Sequence, residues 1–251
     1  MFIPSNWKAK ITNIHVDSEG MSAADVIKFQ YENDFLYIKS IDDKYSKTTY
    51  SVAREKSVVQ WLNGQLNVPT IIDFGIENNR EFMVMGKLPG IHIDDFKESP
   101  DEYVVHLANC IKLIQSIDIQ NCPFDSRVDM RLAELKFLID NNLASLDDWE
   151  DTTNFTDPHE FYRWLYENRP SEDLVFSHGD LTANFFVKNS DYYFYDMGRA
   201  GVADKWYDIA FCICIIRDFG DKKYEDKFFE LLNIAPNYEK IEYFILLDEM
   251  F

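Results

Sequence analysis

The hydrophobic period of this chain changes once, close to Pro100, and that change limits its fold more than any other feature. Before it the apolar residues recur every second position, as in half-buried strands. KITNIHV alternates, and VIKFQYENDFLYIKS reads as a hairpin turning at Glu32-Asn33-Asp34. VPTIIDFGIENNREFMVMGKLPG reads as two further strands joined by a polar turn. The exception is TYSVAREKSVVQWLNGQL, where Val52, Val58, Val59 and Leu62 share one helical face. After Pro100 the period is helical. SPDEYVVHLANCIKLIQSI starts with a capping signal at Ser99, and DMRLAELKFLIDNNL and DPHEFYRWLYEN follow. ADKWYDIAFCICIIRDF, KKYEDKFFELL and NYEKIEYFILLDEMF close the chain as helices. The expectation is an α+β protein with a small antiparallel sheet and one helix over residues 1–88, and a mainly helical part over 89–251. The chain crosses from one part to the other once, near Leu88–His92, so the two lobes are expected to pack around one cleft.

Charge narrows the function classes. The formal net charge is −19, which argues against a nucleic-acid surface, since that needs a basic patch. The acid is concentrated between Asn141 and Asn168, where Asp147, Asp148, Glu150, Asp151, Asp157, Glu160 and Glu167 face only Arg163. Such a run is either a solvated face or a funnel for a cationic ligand. No apolar run long enough to span a membrane occurs, and MFIPSNWKAK has no signal-peptide core, so a cytoplasmic protein is expected. The cysteines form no CxxC pair, and Cys212 and Cys214, inside the apolar run IAFCICII, read as buried free thiols.

Within the helical part lies FSHGDLTANFFVKNSDYYFYDMGRAG, residues 176–201, built around short apolar strands. It holds Asp180 in HGD, Asp196 in DMG and Asn184 between them. Each tripeptide alone is a turn signal, but together and in order they have the layout of a phosphoryl-transfer site. One carboxylate takes or orients a hydroxyl proton, and a second carboxylate with a neutral oxygen holds Mg²⁺. Asp180 suits the first role, Asp196 and Asn184 the second, with Gly198 letting the backbone turn and Arg199 offsetting anionic charge. In the strand-rich part, Lys39 ends FLYIK and Glu55 lies sixteen residues later in VAREKSVVQWL. A strand lysine held by a helix glutamate is the pair kinases use to place phosphates. A turn at Gly20-Met21-Ser22 could cover those phosphates. No GxxxxGK[ST] occurs, so a P-loop nucleotide site is not expected.

EGMS, LYIK, RLAEL, LVFSHGDL, ADKWYDIAFC and the terminal YFILLDEMF make the chain resemble aminoglycoside phosphotransferases, most closely the 3′-phosphotransferases (kanamycin kinases) of Gram-positive bacteria. The resemblance runs from about His15 to Phe251. It implies a eukaryotic-protein-kinase-like fold that binds Mg-ATP and phosphorylates a cationic aminoglycoside. By position, Asp180 resembles the catalytic aspartate, Asn184 and Asp196 the metal ligands, and Lys39 and Glu55 the phosphate-positioning pair. Ser22 resembles the phosphate-loop residue, Tyr37 the aromatic stacked on adenine, and Met85 to Leu88 the hinge strand. The aminoglycoside contacts implied are Asp147, Glu150, Arg199, Asp248, Glu249 and Phe251, which turns the acidic run into a substrate floor.

Three positions depart from that pattern. Relatives read HGDLxxxN, with asparagine five residues after aspartate, where HGDLTAN has four. Cys214 stands where close relatives carry arginine. RDFGDKKY is one residue short, so the substrate-contacting acid of that stretch is Asp218 or absent. Two alternatives therefore stay open on sequence: a kinase of another small alcohol, and a nucleotide-binding pseudokinase.

Overall fold

The alternating stretches of the first third do form strands. The structure, a computed structural model, describes residues 1–17, 23–144, 155–249 and 251. In chain order come β1 (Thr12–Asp17), β2 (Asp25–Tyr31), β3 (Asp34–Asp42), α1 (Val52–Leu62), β4 (Ile71–Glu77) and β5 (Arg80–Gly86). Beyond them lie β6 (Ile91–His92), α2 (Pro100–Gln115), α3 (Val128–Asp140), α4 (Pro158–Glu167), β7 (Leu174–Ser177), β8 (Phe185–Lys188), β9 (Asp191–Phe194), β10 (Gly201–Asp204), α5 (Trp206–Asp218), α6 (Lys222–Leu232) and α7 (Tyr238–Asp248). The chain divides into two compact units, residues 1–92 with 184–199, and 93–183 with 200–251. Relative to a division at 88/89, the first unit gains the β8–β9 hairpin. The reason is pairing: β6 joins β8 in a three-stranded sheet, and the Asn67 carbonyl accepts from the Phe194 amide.

The main sheet of the first unit is antiparallel, in the order β1-β2-β3-β5-β4. Period-2 alternation gives it two apolar faces. Ile27, Phe29, Leu36, Ile38, Phe82 and Val84 form one, closed by Trp7 of the N-terminal segment. The Trp7 ring meets Phe29 edge-on at 5.7 Å, and its indole N–H donates to Asp73 at 2.7 Å. The opposite face packs Ile41 and Met83 against Val52 of α1. Helix α1 buries Val52, Val58, Val59 and Leu62, as its spacing predicts, and Glu55 falls on the same stripe.

Among the described residues of the second unit, six helices, α2 to α7, accompany the antiparallel pair β7–β10. Phe161, Leu165, Phe176, Ile213 and Phe228 are completely buried there. Ser99 is the N-cap residue of α2, yet its side chain makes no capping hydrogen bond, and Pro100 takes the first helical position instead. Cys110 and Cys212 are buried thiols, whereas Cys214 is exposed. Helix α5 is buried on all sides from Trp206 to Ile213, and Cys214 is the first residue beyond that stretch, where the helix reaches the surface. No described helix is long and apolar enough to cross a membrane.

Candidate active site

Alternation along β3 puts Tyr37, Lys39 and Ile41 on the face that meets α1, and the helical stripe brings Glu55 to the same place. There the Lys39 ammonium lies 2.8 Å from Glu55 and 2.5 Å from Asp196. Lys39 and Glu55 are buried, while the Asp196 side chain is about one-third exposed, at 37%. Burial works to lower the Lys39 pKa, but the Asp196 and Glu55 carboxylates outweigh it and hold the amine above its ordinary range. Burial pushes the Glu55 carboxyl up, against the pull of Lys39 and of a hydrogen bond from the Met197 amide.

The DMG segment is tied to α1 at several points. Met197 N–H donates to Glu55, and Arg54 Nε donates to the Gly198 carbonyl at 2.9 Å. The left-handed residue is Asp196 itself, with φ 58°, a conformation aspartate tolerates. Gly198 is therefore not the turning residue. Its hydrogen is required by clearance, because a Cβ there would sit 2.6 Å from the Thr49 carbonyl oxygen.

Helix α1 is fixed in turn by Glu81 of β5, a buried carboxylate that accepts from the Ser51 hydroxyl at 2.8 Å and the Ala53 amide at 3.0 Å. An anion on the first-turn N–H groups is favoured by the helix dipole as well. Tyr37 pairs directly with Met85 across β3 and β5, so the two share a face. Strand β5 ends at Gly86, which leaves Leu88 beyond it as a buried loop residue rather than part of the strand. Asn184 precedes β8, with its carbonyl accepting from the Tyr195 amide at 3.1 Å. Arg199 lies over the Tyr50 ring, 5.6 Å from its centroid.

In the second unit, β7 ends at Ser177 and runs into His178-Gly179-Asp180. The Asp208 carboxylate, in the first turn of α5, accepts from the His178 amide at 2.7 Å and the Gly179 amide at 2.8 Å. Burial pushes the Asp208 pKa up, and His178 and these amide bonds only partly offset it. Gly179 has φ 80°, and Asp180 emerges half-buried right after this clamp. Asp208 and Glu81 were not among the expected site residues. The signal for Asp208 was present in WYDIAFC, an acid in an otherwise apolar helix start. Asp248 ends α7, with Glu249 as its C-cap. Ser22, Asp147 and Glu150 lie outside the described residues.

Residues 24–244 match the model of the phosphotransferase enzyme family. The chain belongs to that family. It is 52% identical over 237 residues to an aminoglycoside 3′-phosphotransferase of Campylobacter jejuni, covering 93% of this chain and 95% of that one. To an aminoglycoside 3′-phosphotransferase of Enterococcus faecalis it is 47% identical over 243 residues, covering 94% and 92%. Among solved structures, an aminoglycoside-3′-phosphotransferase of type VIII superposes with TM-score 0.79 over 95% of this chain and 93% of that one, at 21% identity. A choline kinase from Streptococcus pneumoniae superposes with TM-score 0.65 over 96% of this chain and 83% of that one, at 15% identity. These likenesses assign this phosphotransferase a protein-kinase-like fold.

Proposed function

We propose that this phosphotransferase transfers the γ-phosphate of ATP to the 3′-hydroxyl of kanamycin- and neomycin-type aminoglycosides, acts in the cytoplasm and confers resistance. The observation that carries the reading is the cluster of buried Lys39 and Glu55 with part-exposed Asp196, in a chain whose relatives of nearly equal length are named for this reaction.

Phosphoryl transfer needs alignment and charge neutralisation more than covalent help. Asp180 is assigned to accept or orient the proton of the attacking hydroxyl. Its backbone is held by the bonds of Asp208 to the two preceding residues. Lys39 carries three N–H donors; Glu55 and Asp196 accept from two, and the third is assigned to the α- and β-phosphates. Tyr37 and Met85, opposite each other on one face, are assigned to the adenine ring, with Leu88 beside the hinge and Ser22 at the phosphates. Asp196 and Asn184 offer a carboxylate and an amide oxygen, a hard donor set that fits Mg²⁺ completed by phosphate oxygens and water. No group of three or more acidic, histidine or cysteine ligands gathers among the described residues, so the fit is to a metal shared with the nucleotide rather than to an all-protein cage. When bound there, Mg²⁺ neutralises charge on the phosphates. Asp147, Glu150, Asp248 and Glu249 are assigned to the substrate's ammonium groups, and Phe251 and Arg199 to other parts of the substrate. The net charge of −19 steers such a cation inward.

ATP consumption measured with kanamycin, neomycin and a panel of other alcohols tests the reading. Turnover confined to the aminoglycosides, falling at least ~10²-fold in kcat for Asp180→Ala, is expected. Turnover of other alcohols alone would place the chain among kinases of a different substrate. ATP binding without turnover of any acceptor would make it a pseudokinase.

A further inference from the structure

The RLAEL stretch is one of the segments that carry the family resemblance, yet the chemistry above makes no use of it. Its two charged residues, Arg131 and Glu134, lie one turn apart on α3 and are both buried, Arg131 completely. The Arg131 Nη1 donates to Glu134 at 2.7 Å. A buried ion pair is a poor source of stability, since apolar residues of equal volume serve as well or better. The pair must therefore be explained by what it holds. The Arg131 guanidinium carbon lies 3.7 Å from the centroid of the Phe251 ring. That distance is a stacked cation–π contact, and it lies inside the protein, where such contacts are strongest. Glu134 locks the guanidinium plane that the ring lies on.

Phe251 is tied to the substrate floor by its backbone, because its N–H donates to the Asp248 carbonyl at 2.8 Å. Fixing the ring therefore fixes the end of α7, where Asp248 is the last helical residue and Glu249 the C-cap. The neutralising partner is as important as the stack. An unpaired arginine beside carboxylates that must receive ammonium groups would cancel their field, whereas the Arg131–Glu134 pair adds no net charge.

We propose that Arg131 and Glu134 are positioning residues for aminoglycoside recognition, acting through the Phe251 ring on Asp248 and Glu249. The proposal rests on the reading that this segment binds the cationic substrate. It makes RLAEL a specificity device rather than a folding motif.

The test uses the full chain with Mg-ATP and kanamycin, in the variants Arg131→Lys, Glu134→Gln and Phe251→Leu. Arg131→Lys keeps the charge and loses the planar face. It is expected to raise the kanamycin KM about tenfold, with kcat and the ATP KM moving far less. The double variant Arg131→Lys/Phe251→Leu is expected to be no worse than the worse single one, because both remove one contact. A spectroscopic arm is independent of turnover. The Arg131 Nε–H resonance of the wild type is shifted by the Phe251 ring current and returns toward the ordinary arginine position in Phe251→Leu. The half-buried Phe251 keeps that arm usable if the Arg131 variants fail to fold. Loss of the ring-current shift with an unmoved kanamycin KM in Phe251→Leu overturns the positioning role and leaves the proposed function standing. A wild type that shows no ring-current shift overturns the stacking. A wild type that turns over no aminoglycoside overturns the functional reading, and the substrate role of this pair with it.

Discussion

Asp208→Asn isolates what holds the HGD turn. The substitution preserves shape and one acceptor oxygen, but it replaces the other oxygen with an NH₂ group. Asp208 now accepts from two buried amides, His178 at 2.7 Å and Gly179 at 2.8 Å. Asparagine can satisfy one of them, and its NH₂ meets the other donor to donor. A hydrogen bond to a charged group is worth about 1.5–3 kcal/mol, and the buried amide left behind has no water to replace it. The neutral amide also escapes the burial that raises the Asp208 pKa, which trims the loss of stability. The expected loss is therefore near the low end, about 2 kcal/mol by urea unfolding. The effect on rate is not trimmed, because it depends on geometry. Asp180 follows Gly179 directly, and a displacement of ~1 Å at a reacting group costs on the order of 10²-fold. We expect kcat to fall about 10- to 100-fold with the ATP KM nearly unchanged. Leu165→Ala is the control. It empties a fully buried site in α4, costs at least as much stability, about 2–5 kcal/mol, and keeps kcat at temperatures where the protein is folded. If Asp208→Asn loses stability but keeps kcat within a factor of about two, Asp208 supports the fold without placing Asp180.

Two further perturbations probe the first unit, and a third the loop that leaves the HGD turn in the second. Because the folded Lys39 pKa is raised above 10.5, the stability its pairs supply is complete below that value and is lost only as pH rises through the folded one. The urea-midpoint gap between wild type and Lys39→Met should stay flat from about pH 7 to 10 and narrow above, and a gap already closing near pH 9 contradicts the pairing. Gly198→Ala puts a Cβ 2.6 Å from the Thr49 carbonyl oxygen, so the DMG segment must shift; equilibrium titration should show weaker ATP binding by about tenfold, and unchanged affinity refutes the clearance argument. A glycine inserted between Thr182 and Ala183 should lower kcat, because the ends of this loop are already anchored; a rise in kcat would mark the short loop as a defect.

The parts of the site that a period can carry were legible. Lys39 and Glu55 stand where strand alternation and a helical stripe put them, and Tyr37 meets Met85 because two strands of one hairpin-built sheet share a register. What escaped was fixed by contacts between distant positions. Glu81 reads as the polar end of EFMVM, but its partners lie about thirty residues earlier, at the start of α1. Asp208 reads as one acid among many, and only the fold brings it to the amides of His178 and Gly179. Residues 1–11 have no period, so nothing in the sequence announced that Trp7 closes one face of the sheet. The strand β10 is four residues long, too short for alternation to register, and it is placed by β7 on one side and by a bridge between Val202 and Asp125 on the other.

If the loop between Asp180 and Asn184 is one residue short, as the resemblance implies, its two ends show how that change is contained. Leu181 is fully buried in the second unit, where its carbonyl accepts from Cys212. At the other end, in the first unit, the Asn184 carbonyl accepts from the Tyr195 amide and Phe185 is fully buried. Strand β8 then alternates cleanly, with Phe185 and Val187 inside, Phe186 half-buried and Lys188 exposed. Had the slip passed into the strand, Phe186 and Lys188 would face inward, and a buried unpaired lysine would follow. The shortening that the resemblance to HGDLxxxN implies would thus be confined to Thr182-Ala183, where the boundary between the compact units also falls. Asn184 keeps its backbone place at the foot of the β8–β9 ladder, opposite the residue before Asp196. The register that presents both proposed metal ligands is therefore intact. What the short loop can alter is the path of Thr182 and Ala183 on leaving the HGD turn, the part of the chain whose other end Asp208 already holds.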